Sequence, residues 1–224
     1  MKASMMAATV TMAAALAGCS TGGSTGGSNM FASRDTAVEY IRVFDIKTDA
    51  AGTMVARAAS EGISRNISNA TVATPVPDSA EVQDQPGRFK LADPAGAPPG
   101  TIPARGPSCE GASWTARATP DVRGSQDMNI VACLFPYKGG YHLDLYAAFT
   151  KKEGGWLEWP RRATGYVLGT PDKYAEKTML DIVRTIRETT NAQVALVEAR
   201  PEVAGAPWLD PSGVAPRSSQ TSKP

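Results

Sequence analysis

The 224-residue chain carries 23 basic against 22 acidic side chains, one histidine and three cysteines. This near-balance argues against a nucleic-acid partner, which needs a concentrated basic face. The length favours a single domain with flexible ends.

Met1-Lys2 supplies a positive charge, and Ala3 to Ala17 are almost all small or apolar, with no charge among them. That run is too short to cross a ~30 Å hydrocarbon core, which takes ~20 apolar residues as a helix. A positive start, a short apolar segment and small residues before a break read as an export signal. The run ends in Leu16-Ala17-Gly18-Cys19, which resembles the lipobox of bacterial lipoprotein precursors. The resemblance implies a thioether-linked diacylglycerol on Cys19, removal of residues 1–18 as a signal peptide, and an acylated new amino terminus. Ser20 after the cysteine, where Asp would imply inner-membrane retention, implies the outer membrane of a diderm host. An ordinary signal peptide with a chance cysteine is the alternative. The small flanking residues leave the Cys19 backbone open to a peptidase and an acyl transferase. Two or three acyl chains then hold firmly, each buried CH₂ contributing ~0.8 kcal/mol. Residues 19–36 form the lipidated end and a tether, since "STGGSTGGS" behaves as a flexible coil. It lacks the lysine and the strand-to-helix setting of a phosphate-cradling loop.

A single domain is expected over 37–200. Residues 39–48, "EYIRVFDIKT", are rich in β-branched and aromatic residues and predict a strand. Apolar groups on both its faces place it inside a sheet. Asp49 can cap a helix through "AAGTMVARAASE", with Met54, Val55, Ala58 and Ala59 at helical spacing and Gly62 as its stop. "TVATPVP" predicts a short edge piece, because proline belongs at sheet edges. The Pro/Gly-rich stretch 85–107 predicts an irregular loop.

Three strands follow, "ASWTARAT", "MNIVACLFPY" and "YHLDLYAAFTKKE", the last two joined at Lys138-Gly139-Gly140. Tyr141, Leu143, Leu145, Ala147 and Phe149 alternate with His142, Asp144, Tyr146 and Thr150. A two-residue turn sets Leu134 against Leu145, and a three-residue turn sets Phe135 against Leu143. Thr170, Pro171 and Asp172 open a long helix to about residue 191, with Ala175, Met179, Ile182, Val183 and Ile186 as its apolar stripe. Arg184 falls on the opposite, solvated face. "QVALVEA" closes as a strand, and residues 201–224 predict a disordered tail. The order predicts an α+β fold, an antiparallel sheet with a long C-terminal helix packed on one face. In element order it is loosely similar to helix-grip folds.

Cys109 and Cys133 are an even pair in a chain read as exported and predict a disulfide. Closing that loop contributes ~3 kcal/mol. A metal site would need further ligands, and no metal or cofactor is expected. His142, with Asp144 two residues on, can orient an imidazole, but no G-x-S-x-G elbow accompanies it. A solvent-facing strand histidine is the simpler reading. Asp144, Glu153 and Glu158 offer carboxylates for a hydrolase. In "EGGWLEWPRR", Trp156, Trp159, Arg161 and Arg162 suit partner, glycan or headgroup contacts; alternatively the tryptophans cover the sheet edge. These features favour a non-enzymatic, lipid-anchored envelope protein that binds a partner protein or envelope component. A cell-wall hydrolase using carboxylates and a carrier of lipid or hydrophobic ligands are the alternatives.

Overall fold

The computed structural model describes residues 34–73, 83–91, 106–153 and 170–209. They form one antiparallel sheet, six-stranded, with two helices among the described residues. In chain order the elements are β1 (Arg34–Lys47), α1 (Gly52–Ser64), β2 (Thr71–Ala73), β3 (Trp114–Ala118), β4 (Ser125–Tyr137), β5 (Gly140–Glu153), α2 (Pro171–Thr190) and β6 (Gln193–Arg200). The sheet order is β2-β3-β4-β5-β1-β6, so β1 is an inner strand, as its two apolar faces require. It starts at Arg34, a little before the expected end of the tether.

Both helices pack on one face of the sheet. There Tyr40, Phe44 and Ile46 of β1, Ile130 to Leu134 at alternate positions of β4 and Leu143 to Phe149 at alternate positions of β5 meet the helical stripes. In α2 the cap is as expected: the Thr170 hydroxyl accepts from the Lys173 N–H at 3.3 Å, Pro171 takes the first turn and Asn191 ends the helix at φ 49°. Its Ala175, Met179, Ile182, Val183 and Ile186 are all buried.

The first helix departs from expectation at both ends. Ala51, not Asp49, holds the cap position, and no side-chain bond closes it. Gly62 does not stop α1 but lies buried within it. A Cβ built on Gly62 would stand 2.6 Å from the Ile182 Cα. The glycine lets the two helices touch, and α1 continues to Ser64.

The hairpin adopts neither expected register. Tyr137 pairs with Gly140, Leu134 with Leu143 and Ile130 with Ala147, around the two residues Lys138-Gly139. Gly140 belongs to β5 rather than to the turn. Its φ is +137°, and a Cβ there would lie 2.2 Å from the Ile46 carbonyl oxygen of β1. The close pass of the third strand, not the turn, demands that glycine.

Two further corrections concern solvent. Residues 201–209 are not a disordered tail: Trp208 is buried and meets Phe44 edge-on at 5.4 Å. Arg184 is not on a solvated face either. It is 8% exposed and donates to the Pro207 carbonyl at 2.6 Å, which fastens that segment to α2. Among the described residues no helix is long and apolar enough to cross a membrane.

Candidate functional site

The face of the sheet away from the helices is not open to water. Ile41, Val43, Val131, Cys133, Phe135, Tyr146 and Ala148 form a second apolar cluster, with Phe89, Cys109 and Ala112 packed over it. Parts of the expected loop 85–107 therefore serve as a cover. Gly87 lies so close that a Cβ there would sit 2.6 Å from the Phe135 ring. Gly111, at φ +83°, lies in the bend that turns the chain from Cys109 into β3, with the Ala112 N–H donating to the Cys109 carbonyl at 3.1 Å. Thr115, not Cys109, is the sheet partner of Cys133. Cys109 crosses beneath the strands instead, and its Cα lies 5.7 Å from that of Cys133 with the disulfide formed.

Polar groups enter this face in rows set by the register. Asp144 lies beside Cys133 and Val43, and Val43 pairs in turn with Glu198 of β6. A bulge between Val43 and Phe44 on the β1–β6 ladder puts Leu196 on the helix side and Glu198 on the covered side. Regular alternation would have placed both on one face, so the bulge aims Glu198. Arg88 spans the pair: its Nε donates to Asp144 Oδ2 at 3.0 Å and its Nη2 to Glu198 Oε2 at 2.8 Å. The Phe89 N–H adds a third bond to Asp144 Oδ2, at 2.9 Å. Burial pushes the Asp144 carboxyl above its usual range, against the pull of the Phe89 N–H and Arg88. Its other oxygen is buried with no partner among the described residues.

In the next row His142 pairs with Asp45 and Phe135. The Tyr137 hydroxyl donates to Asp45 Oδ1 at 2.5 Å and meets Lys47 Nζ, while His142 Nε2 stands 3.9 Å from the same Asp45 oxygen. The His142 ring packs edge-on against Tyr137 at 5.7 Å. His142 is therefore a covered residue, not a solvent-facing one. Burial lowers its pKa; Asp45 opposes this, and Arg88 and Lys47 reinforce it. Its Nδ1 is buried without a hydrogen-bond partner among the described residues. Cys133 is consumed by the disulfide.

Of the expected site residues, the structure joins Cys109 to Cys133 and places Asp144 in full burial. Glu153 ends β5 opposite Arg34. Cys19, Glu158, Trp156, Trp159, Arg161 and Arg162 lie outside the described residues. Arg88, Asp45, Tyr137 and Glu198 went unnoticed in the sequence. Arg88 meets its partners 56 and 110 residues away, and no local spacing announces such pairs. Among the described residues no group of three or more His, Cys, Asp or Glu is arranged to hold a metal ion. Compared with known protein families, curated proteins and solved structures, the chain has no significant match.

Proposed function

We propose that this chain is a lipid-anchored bacterial envelope protein with three parts: an acylated Cys19, a flexible tether and a domain that binds a partner protein or envelope component without catalysis. The observation that carries the reading is Leu16-Ala17-Gly18-Cys19 standing ahead of a domain closed by Cys109–Cys133. Disulfides persist in oxidising compartments outside the cytosol, where a lipobox would deliver the domain. Ser20 favours the outer membrane as the destination.

The state of the acidic and basic groups supports a binding rather than a hydrolytic role. Asp144 has no exposure and is held by Arg88 and the Phe89 N–H, an arrangement suited to fastening chain segments. A glycosidase needs carboxylates that reach the substrate.

Labelling of cells with palmitate tests the anchor. Wild-type protein incorporates label and sediments with membranes, whereas Cys19→Ala takes up no label and is left uncleaved or soluble; equal labelling of the two would remove the lipobox reading. Zymography against peptidoglycan tests the second part. No clearing is expected, and a cleared zone that vanishes in Asp144→Asn would establish the hydrolase instead.

A further inference from the structure

Among the described residues, the covering chain on the second face adds no strand to the six-stranded sheet. Its described arms, residues 83–91 and 106–112, are held in a different way. One isolated bridge, Gln83 beside Tyr137, joins the first arm to the sheet, and another, Lys90 with Ser108, joins the arms to each other. Beneath them lie Ile41, Val43, Val131, Phe135, Tyr146 and Ala148. The helix-side core is built on the opposite face, and the strand ladders run without help from either arm.

The polar ties of the arms reach water on the arms' own side, except for the Phe89 N–H bond to the buried Asp144. The Arg88 side chain is 40% exposed where it grips the buried Asp144 and the partly exposed Glu198, and the Lys90–Glu110 pair is largely exposed. Exposed ion pairs such as Lys90–Glu110 hold weakly and are screened by salt. Arg117 adds a bond from its Nη2 to the Pro107 carbonyl at 2.7 Å. The covalent tie is different in kind: it joins the second arm to Cys133 in the middle of β4, and the Lys90–Ser108 bridge passes that restraint to the first arm.

We propose that the two arms form a detachable strap latched by Cys109–Cys133, and that reducing this disulfide lifts the strap from the second face while the sheet and the helix-side core stay folded. Cys109 is half-buried and Cys133 is buried, so an exogenous dithiol attacks at Cys109 Sγ. The reagent thiolate forms a mixed disulfide with Cys109, the Cys109–Cys133 bond breaks, and Cys133 leaves as a thiolate that takes up a proton. The second thiol of the reagent then displaces Cys109, which also leaves protonated, and the reagent departs as its own disulfide. Two electrons pass from reagent to protein. The result is an apolar face bared under reducing conditions and covered under oxidising ones. This inference rests on the disulfide alone and is independent of the lipid anchor.

Hydrogen exchange of the full chain, with and without dithiothreitol, tests it. Reduction should speed exchange in 83–91 and 106–112 by roughly tenfold or more, and should open the bonds after Arg88 and Lys90 to trypsin. Peptides from β5 and α2 should keep their protection. Cys109→Ser should reproduce this pattern without any reductant. Unchanged exchange in the arms would overturn the strap, and so would loss of protection through α2 in either sample, because the bond would then hold the whole fold.

Discussion

His142 and Asp144 stand two residues apart on one face of β5 and respond to pH in opposite senses. Burial lowers the His142 pKa, so as pH falls the unfolded chain takes up that proton before the folded one. Stability from this group is present above the usual histidine value of ~6.5 and is lost as pH drops below it. Burial raises the Asp144 pKa, so its ionisation costs stability above the folded value, and that cost is relieved as pH falls through it. Asp144 therefore favours the fold as pH falls, so any loss of stability on mild acidification belongs to His142. Replacing His142 by Leu should therefore flatten the fall in melting temperature between about pH 7.5 and about pH 5.5. A fall as steep in His142→Leu as in the wild type would mean that the histidine is not buried in its neutral form. The His142–Asp144 alternation was legible in the sequence. Its burial was not, because the cover comes from Arg88 and Phe89, far away in the chain.

At the scale of elements, the contact between α1 and α2 turns on Gly62. In an isolated helix Gly→Ala stabilises by about 1 kcal/mol. Here a Cβ would stand 2.6 Å from the Ile182 Cα and 2.9 Å from the Asp181 carbonyl oxygen, both backbone atoms that cannot swing aside. Overpacking of this kind costs about 1–3 kcal/mol. Gly62→Ala should therefore lower the denaturation midpoint, and a raised midpoint would show that the helices do not approach this closely. Across the same contact, Ile182 is fully buried. Ile182→Asp removes apolar burial worth ~2 kcal/mol and adds the desolvation of a charge. Thermal melts should show little folded protein, and near-wild-type melting would make α2 peripheral. The α2 stripe was readable because period and caps agree over twenty residues. Gly62 was misread because a glycine near a helix end looks the same whether it ends the helix or admits a neighbour. The hairpin register was misread for a related reason: Gly140 answers to β1, a strand far back in the sequence.

At the scale of the molecule, the sheet carries three attachments among the described residues: the helices on one face, the covering arms on the other, and the segment 201–209 against the first core. Composition reads this last piece as the start of a tail, since from Pro201 onward the chain is rich in proline, glycine, serine and threonine. Its fixation depends on single long-range anchors that composition does not register. Arg42, 3% exposed, donates to the Arg200 and Pro201 carbonyls at 2.8 and 2.9 Å. Arg184 holds the Pro207 carbonyl, and Trp208 rests on Phe44. The last two act on adjacent residues of one short segment, so removing either should loosen what the other holds. Full removal of a core tryptophan costs about 3–5 kcal/mol, and a terminal segment that can swing away should cost less, about 2 kcal/mol for Trp208→Ala. Arg184→Ala alone should cost about 1.5–3 kcal/mol, in the range for losing a hydrogen bond to a charged group. Once Trp208→Ala has released the segment, Arg184 has already lost its carbonyl partner. The double variant should therefore fall short of the sum of the singles by roughly 1 kcal/mol, the size of coupling expected for groups sharing one contact. Strict additivity in chemical denaturation would mean that each anchor holds independently and that the segment does not dock as a unit.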